Sequence, residues 1–173
     1  MFAVHIGNNY TGQSSAELHG CHNDARRIYS YVRQHTGYKV RSRLLYDQSK
    51  YQIIMAIIAL VHNANEYVRN NPDQPCTVWL SFAGHGSNVR DRGGDEVDGR
   101  DECILPNDFR AQGVITDDVF AQLLVPLDPK VRAYVFVDSC HSGTMLDLQY
   151  TLNGNGGGAQ ARHKTMMAHV VCI

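Results

Sequence analysis

Cys76-Thr-Val-Trp-Leu-Ser-Phe82 is an apolar run that follows the breaker Asn71-Pro72-Asp73-Gln74-Pro75 and passes almost directly into Gly84-His85-Gly86. β-Branched and aromatic residues between turn signals predict a buried strand, and the glycine-flanked histidine then falls on a loop at its carboxyl end. A second run, Arg132-Ala-Tyr-Val-Phe-Val-Asp138, has the same character and delivers Ser139-Cys140-His141-Ser142-Gly143. Two strands of this kind, each ending in a chemically active loop, set the frame for the rest of the chain.

Upstream, Phe2-Ala-Val-His-Ile6 reads as a first strand, closed by Gly7 and the polar stretch Asn8 to Ser15. Ala25, Ile28, Tyr29 and Val32 recur at helical spacing between about His22 and His35, and Gly37 supplies a stop. Lys39 to Tyr46 reads as a second strand, and Ile54, Ile57, Ile58, Val61 and Val68 mark the expected buried stripe of a longer helix. Downstream, Glu102 to Leu105 is a short strand candidate. Thr116-Asp117-Asp118 suits the cap and first turn of a helix through Leu124, ended by Pro126. Strands alternating with helices predict an α/β fold with a mostly parallel sheet and helices on both faces, in which functional groups gather beyond the carboxyl ends of the strands.

The length of 173 residues fits one domain with one sizeable core. Sixteen Lys and Arg against 17 Asp and Glu leave a net charge of −1, so no basic field exists to hold a nucleic-acid backbone or an anionic membrane. The longest unbroken apolar run, Ile53 to Val61, has nine residues, far below the roughly 20 a bilayer-spanning helix needs. Five cysteines without a CxxC pair fit neither a disulfide framework nor a common structural zinc site, which points to a reducing, cytoplasmic setting.

Cys76, Cys103 and Cys172 sit inside apolar runs and read as small buried hydrophobes, whereas Cys140 sits in a polar loop just after a strand. A thiolate is a strong nucleophile, and a neighbouring imidazole can activate it and later protonate a leaving amine. Cys140 and His85 suit those two roles. Gly86 and Gly143 leave backbone N–H groups that can approach an oxyanion. A phosphatase-type loop would place an arginine where Leu146 stands, and a thioredoxin-type site would need a second cysteine beside Cys140.

Leu18-His-Gly-Cys-His-Asn-Asp-Ala25, Ser81-Phe-Ala-Gly-His-Gly86, Gly94-Asp-Glu-Val-Asp-Gly-Arg-Asp-Glu-Cys-Ile104 and Asp138-Ser-Cys-His-Ser-Gly143 together resemble the metacaspases, in the same order along nearly the whole chain. His85 and Cys140 are 55 positions apart, near the ~50 of caspases, but Asp-Ser-Cys-His-Ser-Gly departs from the caspase Gln-Ala-Cys-x-Gly. The resemblance implies a caspase-like three-layer sandwich and a cysteine endopeptidase cutting protein substrates after Arg or Lys, with Cys140 as nucleophile and His85 as acid/base. It also implies a place in programmed cell death. An acidic subsite suits a cationic side chain, and Asp138 and Asp24 are the carboxylates expected to form it. Asp24 serves equally well as a helix-start acid, and Cys21, matching a second cysteine near the site in the family, serves equally well as a structural thiol. Family members usually carry Ser where this chain has Ala83.

Acidic residues cluster between Asp91 and Glu102, and the resemblance points to Asp101, Asp117, Asp118 and Asp147 as ligands of a stimulatory calcium ion. The stretch from Asp95 does not follow EF-hand spacing, so such a site would draw on separate segments. As structural residues, Asp117 and Asp118 would stabilise a helix start. Residues 1–173 are expected to form one large-subunit-like catalytic domain, with 148–168 a flexible, glycine-rich processing loop in which Arg162 and Lys164 are candidate self-cleavage positions. A small-subunit-like C-terminal portion is not found, and the chain's own such portion is an expected partner. Two other functions fit the residues: a fragment or scaffold that is inactive without a partner, marked by an unpaired final strand, and a non-proteolytic cysteine hydrolase on the same fold.

Overall fold

The computed structural model describes residues 1–37, 39–90, 100–139, 151–153 and 168–172. In chain order the elements are β1 (Phe2–Gly7), α1 (Cys21–His35), β2 (Arg41–Tyr46), α2 (Lys50–Asn70), β3 (Cys76–Ala83), β4 (Gly86–Arg90), β5 (Arg100–Ile104), α3 (Phe109–Gln112), β6 (Ile115–Thr116), α4 (Asp117–Leu124), β7 (Val131–Asp138), β8 (Thr151–Asn153) and β9 (Ala168–Cys172). Six strands form an entirely parallel sheet in the order β2-β1-β3-β7-β9-β8, and β4, β5 and β6 form a small antiparallel sheet.

β1 is buried on both faces, as a strand inside a parallel sheet must be. Phe2, Val4 and Ile6 join the main core with Ile53, Ile57, Leu60, Val61 and Val68 of α2, together with Val78, Leu80 and Phe82 of β3 and Val131, Val135 and Val137 of β7. On the opposite face His5 meets Tyr29 of α1 edge to face, with ring centroids 5.8 Å apart. Helices therefore cover both faces, and the predicted α/β sandwich is what forms.

Local signals place the helices. A capping box starts α2: the Ser49 hydroxyl accepts from Gln52 N–H, and the Gln52 amide oxygen accepts from Ser49 N–H. The Thr116 side chain caps α4, with Asp117 and Asp118 in its first turn. The buried stripe of α2 differs from expectation. Ile53 and Leu60 lie inside, Ile54 is only partly covered, and Ile58 is 43% exposed. Nine consecutive apolar residues give no polar mark for the edge of the stripe, and the 3.6-residue period through Ile53, Ile57, Leu60 and Ala64 leaves Ile58 on the flank.

The strand at the end of the chain, β9, lies between β7 and β8. The unpaired final strand expected of a scaffold awaiting a partner is therefore not formed. Within the stretch 148–168, residues Thr151–Asn153 pair with β9 as β8. The candidate processing positions Arg162 and Lys164 lie outside the described residues.

His5 carries a pH dependence. Its Nδ1 lies 2.8 Å from the Ser81 hydroxyl, its ring is fully buried, and its Nε2 has no partner among the described residues. Burial pulls the imidazole from 6.5 down to about 4. The unfolded chain binds the proton more readily, so stability is whole above about pH 6.5 and is lost as pH falls from there towards 4, by up to about 3 kcal/mol. The thermal midpoint is expected to fall between pH 7 and pH 5, and less so in the double variant His5→Val/Ser81→Ala, which removes both polar partners together. Equal slopes in the two proteins would refute this assignment.

Candidate active site

The parallel pair β3–β7 places Ala83 opposite Asp138, and Gly84 N–H donates to the Asp138 carbonyl at 3.2 Å. The loops that begin at Gly84 and Ser139 are thus joined at the carboxyl ends of adjacent central strands, where ligands of open α/β sheets collect. Cys140, Gly143 and Asp147 lie outside the described residues. Asp138 and Ser139 lead directly to Cys140 in sequence.

His85 is fixed by the segment between β1 and α1. Its Nε2 donates to the Ala16 carbonyl at 2.8 Å. A carbonyl only accepts, so Nε2 carries the proton, and in the neutral ring Nδ1 keeps a lone pair for general-base work. The ring packs against Tyr10, with centroids 4.8 Å apart, and the His85 backbone N–H donates to the Tyr10 hydroxyl at 2.9 Å. Gly84 makes that approach possible: a Cβ there would lie 2.9 Å from the Tyr10 oxygen and 2.7 Å from Phe82 Cζ.

Cys21 and Asp24 occupy the first turn of α1. The structure brings Asp24, Asp138 and Cys21 together electrostatically. Burial and then the charge of Asp24 raise the Asp138 carboxyl above its ordinary value. Burial, then Asp24 and Asp138, push the Cys21 thiol up to about 11. Cys21 is therefore a protonated thiol near neutral pH, which suits a structural wall better than a nucleophile. Asp24 also lies 3.6 Å from the largely exposed Arg27 guanidinium one turn along, a surface pair of little energetic weight. Among the described residues no cation pairs with Asp138. The result is a pair of mutually repelling carboxylates beside a thiol, one of them at the carboxyl end of a central strand.

The calcium candidates fall elsewhere. Asp101 on β5 and Asp117 at the start of α4 are buried, while Asp118 is half-buried and donates its N–H to Asp117 Oδ1 at 2.9 Å. Burial, with the nearby charges of Asp117, Asp101 and Glu102 adding to it, pushes the Cys103 thiol up to about 11, so these carboxylates share a neighbourhood. No group of three or more His, Cys, Asp or Glu side chains converges as metal ligands would among the described residues.

Tyr10, Ala16, Asp47 and Leu105 are contributors that the sequence did not reveal. Their only visible signal is an aromatic residue inside a polar loop, Asn8 to Ser15.

Residues 2–149 match the family described as "Metacaspase, peptidase C14 domain". Similar relatives include Metacaspase-1A of Neurospora crassa, 37% identical over 156 residues that make up 89% of this chain and 34% of the relative. Metacaspase-1 of Kluyveromyces lactis is 36% identical over 89% of this chain and 36% of its own length. The chain thus spans about a third of the length of these curated relatives. A crystal structure of protein GSU0716 from Geobacter sulfurreducens resembles the fold with a TM-score of 0.61 and 28% identity, covering 83% of this chain and 51% of that one.

Proposed function

Because the chain belongs to the metacaspase peptidase C14 family, we propose that it is a cysteine endopeptidase that cleaves protein or peptide substrates after Arg or Lys, with Cys140 as nucleophile and His85 as acid/base. The observation that carries this reading is the hydrogen bond from His85 Nε2 to the Ala16 carbonyl, which leaves Nδ1 as the basic nitrogen at the mouth of β3. In the proposed cycle Nδ1 takes the Cys140 thiol proton. The thiolate attacks the scissile carbonyl carbon, and the imidazolium protonates the departing amine, leaving a thioacyl-enzyme for water to hydrolyse. Gly86 supports an oxyanion role. Leu105 N–H donates to the His85 carbonyl, so His85 and Leu105 form a hydrogen-bonded pair, and alternation turns the Gly86 N–H away from β5.

Asp138 and Asp24, with Cys21 beside them, form the proposed subsite for the cationic side chain. A guanidinium or ammonium entering it meets two carboxylates, and its charge offsets the burial and the Asp24 repulsion that raise the Asp138 carboxyl. An aspartate side chain would add a third negative charge. Calcium is a proposed stimulator, with Asp101, Asp117, Asp118 and Asp147 as the residues that would hold it. Buried carboxylates on two adjoining elements suit a hard cation. Cleavage within the chain after Arg162 or Lys164, association with a small-subunit-like portion, and a cytoplasmic location, which the free thiols Cys21, Cys76 and Cys103 suit, complete the proposal.

The test is hydrolysis of matched fluorogenic peptides ending in Arg or Asp, with calcium or chelator, by this chain and by Cys140→Ala. The Arg peptide is expected to be cut at least about a hundredfold faster than the Asp peptide, faster with calcium, and not at all by the variant. Silence on the Arg peptide from folded protein would overturn the peptidase reading. Equal rates in chelator would remove calcium alone, and an intact mass identical to that of Cys140→Ala would remove self-cleavage.

A further inference from the structure

Tyr10 stands in an unusual place in the hydrogen-bond ladder. The antiparallel register of β4 and β5 puts Gly86 opposite Ile104, and one step further His85 faces Leu105. A hydrogen-bonded pair of this kind exchanges two N–H···O bonds. One is direct, from Leu105 N–H to the His85 carbonyl at 3.0 Å. The other is interrupted: His85 N–H donates to the Tyr10 hydroxyl at 2.9 Å, and that hydroxyl donates to the Leu105 carbonyl at 2.6 Å. A side-chain oxygen has been inserted as half of a rung, splaying the base of the hairpin where the imidazole emerges.

The inserted residue is itself held firmly. Tyr10 is fully buried, and its backbone lies in the left-handed region at φ 55°, uncommon for a non-glycine residue. Asp47 Oδ1 accepts from the N–H groups of Asn9 and Tyr10 at 2.7 and 2.8 Å, and its Oδ2 accepts from the Thr11 hydroxyl at 2.7 Å. His22 Nε2 lies 3.2 Å from the same Oδ2. Burial would raise the Asp47 carboxyl, yet the bonds from Thr11, Tyr10 and Asn9 and the charge of His22 bring it below the usual carboxylate range. The Asp47 anion therefore fixes the conformation of a loop that reaches His85 twice, through the Tyr10 hydroxyl and through the Ala16 carbonyl.

We propose that Tyr10 is a positioning residue for His85, its hydroxyl serving as the inserted rung, and that Asp47 is the anchor that keeps it there. This rests on the reading of His85 as the acid/base of the site. Without the hydroxyl, His85 N–H and the Leu105 carbonyl either close on each other, drawing the two strands together, or stay unpaired. In both cases the imidazole leaves its alignment with Ala16, and a displacement of about 1 Å at a catalytic group can cost about a hundredfold in rate.

The experiment uses the full chain and two variants, Tyr10→Phe, which keeps the ring, and Asp47→Asn, which keeps the shape of the anchor and removes its charge. Nitrogen NMR of the imidazoles reads the tautomer whether or not peptide is cut, and steady-state kinetics on the Arg peptide read kcat and KM separately. In the parent chain His85 is expected as the Nε2–H tautomer, with a slowly exchanging proton. In Tyr10→Phe the Nδ1–H form is expected to grow in and kcat to fall about tenfold or more, with KM changed less than about twofold. Asp47→Asn should move both readouts in the same direction by less, and it decides the matter should the phenylalanine variant not fold. Parent-like His85 signals in the folded variants would overturn the proposal even if the chain is an active peptidase. A tautomer change in a chain that cuts no peptide would uphold the positioning role and sink the peptidase reading instead.

Discussion

His85→Ala is expected to lower kcat/KM on an Arg peptide by at least about a thousandfold, with KM little changed. General acid–base catalysis by a positioned side chain contributes about 10²–10⁴ in rate, and in the proposed cycle one imidazole serves two proton transfers of acylation, activating the thiol and protonating the leaving amine. Two other imidazoles are held away from this role. His5 is buried beneath α1 against Ser81 and Tyr29, and His22 stacks on Tyr46 beside Asp47. Cys21, with its thiol pushed up to about 11, is a poor replacement nucleophile. The check is the rate together with iodoacetamide alkylation of Cys140 at neutral pH, which should slow in the variant because the thiolate is less populated. A variant within tenfold of the parent rate would show that His85 is not the base.

Gly7→Ala is expected to cause the largest loss of stability among single methyl additions at the six glycines whose surroundings are described. A Cβ at Gly7 would lie 2.4 Å from the Cys21 carbonyl oxygen, 2.9 Å from its carbon and 3.0 Å from Ala25 Cβ. Two of these three atoms are backbone, so no side-chain rotation relieves the clash, and α1 must back away from β1. Overpacking of this kind costs about 3 kcal/mol. Gly12→Ala is the contrasting control: its φ of +80° disfavours a side chain, as the strand backbone of Gly7 does not, but nothing lies within 4 Å, so only about 1 kcal/mol of conformational strain is expected. Denaturant midpoints of both variants decide the case. A Gly7→Ala loss no larger than that of Gly12→Ala would mean that the helix start yields freely. The retreat of α1 should also carry Asp24 and Cys21 away from Asp138, weakening discrimination for Arg together with stability.

Both predictions rest on features of unequal legibility. The central strands β3 and β7 could be read because both are rich in β-branched and aromatic residues with at least every second one buried, and the polar residues that end each run then mark the functional edge. His85 was visible for that reason. The antiparallel sheet was only half legible: Gly86–Arg90 is led by glycine, mostly polar and half exposed, and it owes its strand form to pairing with β5 rather than to its own pattern. Thr116 and Ser49 acted as the caps their side chains suggest, since capping is decided within one turn. Tyr10 and Asp47 could not be read. Tyr10 acts on a residue 75 positions away, and Asp47 on residues 36 to 38 positions back, so no local window contains the interaction.

The grip on His85 has a consequence for the order in which the protein is made. Every residue shown holding the imidazole or its backbone, from Tyr10 and Ala16 through Asp47 to Leu105, precedes position 106. The proposed nucleophile leaves the ribosome more than thirty residues later, after β7. Folding during synthesis proceeds from the N-terminus. The bonds that hold the base are thus available among residues already translated, while β7, whose Asp138 carbonyl takes up the Gly84 N–H, and the thiol that follows it are added afterwards.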